Sequence, residues 1–330
     1  MVSPEDEATK SLHDAQQFAQ QFPQRIPQQF NGAQQSEASR RHQTARQLDA
    51  ALGPVDWTKL PDGTMKDQVD VPSGQLARIS LGPTDGERVL LVPGVTGSKE
   101  DFILMMPLFA AEGYRVEAYD LAGQYESAAA GPEQLNPPSN RYTLQLFADD
   151  LHTVLSAGRA PAHVLGYSFA GSVAAAVAVA DPSLFRSLTF LSAPPGPGDS
   201  LRSFKKIGAL SRFISGRTLG PLFISALRYN VHRAPAHRAG FVSMRLESTR
   251  PSSVGDVLAL MQRTPDFSSL SETGLPLLLA AGTGDVWPDR LHREYAHRLG
   301  ARFLLLNTGH SPCETTPHQL TEAMLDLMRG

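Results

Sequence analysis

The sequence predicts an α/β fold: a mostly parallel, twisted sheet flanked by helices, carrying a helical insertion and preceded by a helical arm. Three observations predict it. Short apolar strands alternate with helical segments from about residue 88 onward, and such alternation builds a parallel sheet with crossover helices on its faces. The rhythm stops at Ala193-Pro194-Pro195-Gly196-Pro197-Gly198 and resumes only at Pro276. Residues 1–53 differ in character from the rest, with eleven glutamines between Gln16 and Gln47. These breaks divide the chain into an arm (1–53), a first core part (54–195), an inserted helical cap (196–273) and a second core part (274–330).

Bulk properties narrow the function classes. A chain of 330 residues is ample for one large buried core with appendages. Its 33 acidic and 30 basic residues nearly cancel, so no global field steers it to nucleic acid or an anionic membrane, and a small-molecule partner is expected. Cys313 is the single cysteine, which excludes an internal disulfide and a thiolate metal cluster and suits a reducing cytoplasm. The acidic N-terminus lacks the order of a signal peptide. The longest apolar runs, Phe102 to Ala111 and Ala170 to Ala180, fall short of the roughly 20 residues a membrane helix needs.

The elements follow in order. In the arm, Ser3-Pro4-Glu5-Asp6 starts a helix whose stripe is Leu12, Ala15, Phe18 and Phe22, ended by Pro23 and Pro27. A second helix is expected from about Ser36, with Ala38, His42, Ala45 and Leu48 on one side and Gly53-Pro54 as its stop. The arm is expected to dock on the main domain or on a neighbouring subunit, giving a homo-oligomer. Thr64 to Val71 and Gln75 to Leu81, joined by Pro72-Ser73-Gly74, predict a leading hairpin. The alternation then predicts strands over 88–92, 114–119, 162–165, 187–191, 276–281 and 302–306. Helices are predicted near 99–112, 142–157, 169–180, 288–299 and 317–328. Between them, 196–273 is mainly helical.

Chemistry concentrates at the strand ends. Val164-Leu165-Gly166-Tyr167-Ser168-Phe169-Ala170-Gly171-Ser172 brings an apolar strand into a serine flanked by small residues, with an alanine-rich helix leaving it. A sharp strand-to-helix turn of this kind lifts the serine above the sheet and tolerates no bulky neighbours. The helix start also aims amides at the site, where an oxyanion can be held. Leu90 to Phe102 contains Pro93-Gly94-Val95-Thr96-Gly97-Ser98, a glycine-rich loop without the spacing of a phosphate-binding motif.

The stretch around Ser168 resembles the nucleophile elbow of the α/β-hydrolase family, with Ala170 where G-x-S-x-G has its second glycine. The loop at 93–98 is similar to that family's oxyanion loop, with Pro93 in place of its usual histidine. Asp120-Leu121-Ala122-Gly123-Gln124-Tyr125-Glu126-Ser127 resembles its D-x-x-G-x-G-x-S turn, with Tyr125 at the second glycine; Asp120 is expected to bind turn amides. The resemblance covers about residues 64–330 apart from the cap. It implies a serine hydrolase with Ser168 as nucleophile, His310 in Thr308-Gly309-His310-Ser311 as base, Asp285 after Pro276–Gly284 as acid, and the Val95 and Phe169 amides as oxyanion donors. The order Ser168, Asp285, His310 is the order this fold uses. No cofactor or metal is implied.

Competitors are weighed by position. Among ten histidines, His292 and His297 fall in a predicted helix and read as surface or packing residues, while Asp289 competes with Asp285. The implied activity is hydrolysis of a carboxylic ester. The same triad also serves carbon–carbon, lactone or acyl-transfer chemistry, and a non-catalytic binding protein of the same fold is the reading from another class. The cap carries eleven basic residues against five acidic ones. A solvated face is the plainer explanation, and recruitment of an anionic acyl substrate the sharper. Its apolar residues, among them Leu201, Phe204, Leu222 and Ile224, fit either a helix core or an acyl pocket. Cys313, three residues past His310, reads as an inert thiol.

Overall fold

A computed structural model describes residues 32–203, 216–228 and 236–330. The chain divides into two compact units, Met1–Arg41 and His42–Gly330. The arm helix expected over 3–22 lies outside the described residues, as do the cap positions Phe204 and Ile207. In the first unit, the described residues begin helix α1 (Gly32–Ala50), where Arg41 reaches Glu37 at 3.3 Å one turn back.

The second unit is built on an eight-stranded sheet. Strands β1 (Met65–Val71) and β2 (Gly74–Leu81) form the leading hairpin, and β3 (Arg88–Val92), β4 (Arg115–Tyr119), β5 (Ala162–Tyr167), β6 (Phe185–Leu191), β7 (Leu277–Gly282) and β8 (Arg302–Leu306) complete it. The spatial order is β1-β2-β4-β3-β5-β6-β7-β8. β2 meets both β1 and β4 antiparallel, and every other pair is parallel. β3, β5 and β7 are buried along their whole length, as parallel strands covered on both faces must be.

The helices cover the two faces. α2 (Met106–Ala111), α3 (Leu144–Ala157) and α4 (Phe169–Ala180) precede the insertion. α5 (Gly216–Arg228), α6 (Ala236–Ser248) and α7 (Pro251–Met261) lie within it. α8 (Asp289–Leu299), α9 (Pro312–Thr315) and α10 (Pro317–Arg329) follow it. One core joins the α3 and α4 side with α7, through Leu146, Leu151, Val173, Val254 and Trp287. The other packs Phe102, Met106 and Phe109 with Leu320 and Met324 of α10. Among the described residues no helix is long and apolar enough to cross a membrane.

Several departures from the sequence reading have local causes. The helix expected over 99–112 is a 3-10 turn at Lys99–Phe102 followed by α2. Pro107 has no amide to continue the ladder and is accepted only near a helix start, where α2 places it. Of the stripe expected on α1, Ala45 is buried while Leu48 is 47% exposed. The residue that ties the end of α1 down is polar. Asp49 accepts the His318 and Gln319 amides at 2.9 and 3.0 Å, so a carboxylate from one helix caps the free N–H groups that open α10. Asp150 does similar work for the hairpin, taking the Ser73 amide at 3.1 Å and its hydroxyl at 2.6 Å.

The insertion is pinned where it leaves the sheet. Gly198 and Thr264 exchange backbone hydrogen bonds of 2.8 and 2.9 Å, closing the chain on itself before β7. Leu201 and Ile224 are buried and belong to the core, whereas Leu222 is 61% exposed.

Candidate active site

The site lies at the carboxyl ends of β3, β5, β7 and β8, where crossover loops converge and an open α/β sheet offers a crevice. Ser168 directly follows β5 and is the residue before α4. Its φ of +52° and ψ of −123° lie where a side chain is rarely tolerated, a strain of about 1–3 kcal/mol that the surroundings must hold. Two backbone bonds hold it: Ser168 N–H donates to Leu191 O at 2.8 Å, and Gly171 N–H to Ser168 O at 2.9 Å. The small neighbours are required sterically. A Cβ on Gly166 would stand 2.6 Å from Ala170 O, and one on Gly171 would stand 2.5 Å from the Ala193 Cβ. Ala170 itself is fully buried, so alanine replaces the motif's glycine without loss of the turn.

The structure brings together the three residues singled out as nucleophile, base and acid. His310 Nε2 is 3.3 Å from Ser168 Oγ, and His310 Nδ1 is 2.8 Å from Asp285 Oδ1. Asp289 instead opens α8. Close backbone contact between the ends of β7 and β8 sets this meeting. Gly284 N–H donates to Thr308 O at 2.8 Å, and a Cβ on Gly282 would collide with Gly309 O. Asp285 is 1% exposed. Burial acts to raise its pKa, but the adjoining His292 and His310 imidazoles outweigh burial and hold the carboxyl below the usual carboxylate range. Aromatic rings fix the imidazole of His310 on two sides, Tyr167 at 5.4 Å and Trp287 at 5.6 Å between centroids. The Tyr167 hydroxyl lies 2.8 Å from Ser311 Oγ.

The loop after β3 passes directly over the serine. A Cβ on Gly94 would stand 2.8 Å from the Ser168 Cβ. Thr96 sits at φ +61°, and its amide donates to Gln124 Oε1 at 2.6 Å. Gln124 is fully buried and so braces the loop that carries Val95. Phe169 supplies the first amide of α4, one of the helix-start N–H groups that lack an intrahelical acceptor. Asp120 takes the Lys99 amide at 2.8 Å, the turn-binding work expected of it, and also pairs with Lys99 Nζ at 2.9 Å.

Both readings of the basic cap need correction at two positions. Arg238 and Arg245, on α6, are each 6% exposed and face the core. Both reach Asp101 Oδ1, at 2.7 and 2.5 Å, and Arg238 also binds Glu314. These guanidiniums are neither solvated nor free to receive an anionic substrate. They hold Asp101 below its usual pKa against the effect of burial. They link the turn after the 93–98 loop to the segment after His310. Burial pushes the Cys313 thiol well above its ordinary pKa, which keeps it protonated and inert. A cavity of about 120 Å³ adjoins Phe169, lined also by Leu144, Ser172, Leu260, Met261, Arg263, Thr264 and Pro265.

The sequence reading missed four residues around this centre: Gln124, Tyr167, Trp287 and His292. Tyr167 lay at the variable position of the elbow, and Trp287 is one of two tryptophans, two residues past Asp285. For Gln124 and His292 the sequence held no signal, because each acts through a contact made only by folding.

A buried acid, a histidine and a strained serine at the strand ends of this sheet define a protein of the α/β-hydrolase class. The chain belongs to the alpha/beta hydrolase family, whose model matches residues 89–323. It is 32% identical over 113 residues, 34% of this chain and 40% of the relative, to the "Putative carbamate hydrolase RutD" of Variovorax paradoxus strain S110. The match therefore spans less than half of that relative's length. Among solved structures, it is similar to a thermophilic esterase from Thermogutta terrifontis, with TM-score 0.60, 21% identity, and 80% of this chain and 98% of that one covered. It is also similar to the enol-lactonase of Burkholderia xenovorans LB400, with TM-score 0.61, 16% identity, and coverage of 80% and 100%. Identities this low speak to the fold alone.

Proposed function

We propose that the protein is a serine hydrolase that cleaves a carboxylic ester or a related acyl bond through an acyl-enzyme on Ser168. The observation that carries the reading is the connected chain from Ser168 Oγ through His310 to Asp285, at 3.3 and 2.8 Å, with the serine strained out of the ordinary backbone regions.

In the proposed mechanism, His310 Nε2 takes the Ser168 proton as Oγ attacks the substrate carbonyl. Asp285 keeps the Nδ1–H tautomer and stabilises the imidazolium. Charge developing on the carbonyl oxygen is held by the Val95 and Phe169 amides, each such donor being worth on the order of 10²–10³ in rate. The tetrahedral adduct collapses, the leaving alkoxide takes the proton from His310, and the acyl group stays on Ser168. Water then gives a proton to His310, attacks the ester and releases the acid as Oγ regains its proton. The residues assigned to these steps require no metal or cofactor.

The cavity beside Phe169 supports an acyl group of modest size, because its apolar lining offers space next to an oxyanion donor. The test is labelling with a fluorophosphonate, mapping of the adduct, and turnover of p-nitrophenyl esters of increasing chain length. Labelling on Ser168, lost in Ser168→Ala together with turnover, is the expected result. A folded protein that is neither labelled nor active would favour a binding protein on the same fold. Labelling without ester turnover would move the substrate to a lactone, carbon–carbon or acyl-transfer reaction.

A further inference from the structure

Asp285 is approached from two sides. Oδ1 accepts from His310 Nδ1 at 2.8 Å and, more loosely, from the Trp287 amide at 3.4 Å. Oδ2 is buried and has no aligned hydrogen-bond partner, and 3.3 Å from it stands Nε2 of His292. His292 is wholly buried, and neither of its ring nitrogens has an aligned partner. Trp287 fixes the ring edge-on, with centroids 5.9 Å apart and planes at 89°. The same indole borders His310. A histidine that only filled space would be costly here, since an imidazole nitrogen buried without a partner forfeits its hydration.

We propose that His292 is a positioning residue for the reaction: its Nε2–H holds the second oxygen of Asp285 and keeps the first in line with His310. The proposal deepens the hydrolase reading and rests on it. A buried carboxylate held through one oxygen can rotate about its last bond, and the tautomer and orientation of His310 are then lost. Donors on both oxygens remove that freedom and share the negative charge. The depression of the Asp285 pKa, to which both histidines contribute, agrees with this arrangement. Helix α8 supplies the rigidity, because Pro288 precedes its first residue and His292 sits one turn in.

The experiment compares the unaltered chain with His292→Gln, His292→Asn and His292→Phe. It measures kcat and KM on a short acyl ester, the rate of fluorophosphonate labelling, and thermal unfolding. A glutamine amide reaches the region of Nε2, an asparagine amide only that of Nδ1, and phenylalanine supplies no donor. The expected result is a fall in kcat and labelling rate on the order of tenfold in the Phe and Asn variants, with KM within about twofold, and recovery of most of the rate in the Gln variant. A phenylalanine variant that reacts like the unaltered chain overturns the proposal. So does a glutamine variant as slow as the asparagine one, which would trace the loss to packing. Should the phenylalanine variant fail to fold, the Gln and Asn pair decides. An unaltered chain that takes no label overturns the hydrolase reading, and the proposal with it.

Discussion

Gly94 lies so close to Ser168 that a Cβ added to it would stand 2.8 Å from the serine Cβ and 3.5 Å from Oγ. Neither side has room to yield, since Ser168 is held by its bonds to Leu191 and Gly171 and the loop is braced by Gln124. Gly94→Ala must therefore displace either Ser168, the proposed nucleophile, or the Val95 amide. The expected outcome is a fall in kcat/KM of about 10²-fold, the scale of losing one oxyanion donor. The cost in stability should be about 1–3 kcal/mol from overpacking. Fluorophosphonate labelling and thermal melts check both, and unchanged labelling would show that the contact relaxes.

Arg238→Met leaves Glu314 without its cation and Asp101 with Arg245 alone. Breaking a buried pair at one end typically costs about 3–5 kcal/mol, because the remaining charge stays buried. Urea unfolding should show a loss of that order. Combining Arg238→Met with Glu314→Gln should recover part of it, and a loss below about 1 kcal/mol would mean that water reaches the cluster.

Asp150 predicts a pH dependence. Burial raises its pKa from 3.8 to about 6, with the Ser73 hydrogen bonds opposing. The folded state thus binds this proton more tightly than the unfolded chain. Its favourable contribution is complete below about pH 4 and is lost as the pH rises through about 6. An asparagine side chain at this position carries no charge to bury and retains an acceptor for Ser73. Asp150→Asn is therefore expected to gain up to about 3 kcal/mol over the parent above about pH 6 and little near pH 4. Melting curves of both proteins across that range test it, and a difference independent of pH would contradict it.

The cavity beside Phe169 gives a specificity prediction. Leu260→Trp fills space next to Phe169, whose amide is a proposed oxyanion donor. If acyl chains occupy that space, kcat/KM for hexanoyl esters should fall by about tenfold or more while acetyl esters change little, the range expected for a few methylenes in an apolar pocket. Equal effects on both chain lengths would place the acyl group elsewhere.

The sheet and the candidate triad were legible because they depend on local rules. The strands from β3 to β8 are short and mostly apolar, and the elbow demands small residues at fixed offsets from Ser168. The break at Pro107 was missed although its physical cause was visible in the chain. Of the stripe expected on α1, Ala45 is buried and Leu48 is not, and the contact that ties the end of α1 is Asp49 capping a helix nearly 270 residues away, which apolar periodicity does not reveal. Arg238 and Arg245 misled because charge counted along a sequence carries no information about burial.

What the sequence determined by itself was the alternation that builds a parallel sheet and the order Ser168, Asp285, His310. These follow from periodicity, backbone sterics and chain order, all one-dimensional properties. Only the tertiary structure decided that Gly94 lies against Ser168, that two cap arginines neutralise Asp101 inside the protein, and that Asp285 has an imidazole on each side. The physical reason is the same each time. Hydrogen bonds and ion pairs act over about 3 Å, and folding alone sets which distant residues come within that reach.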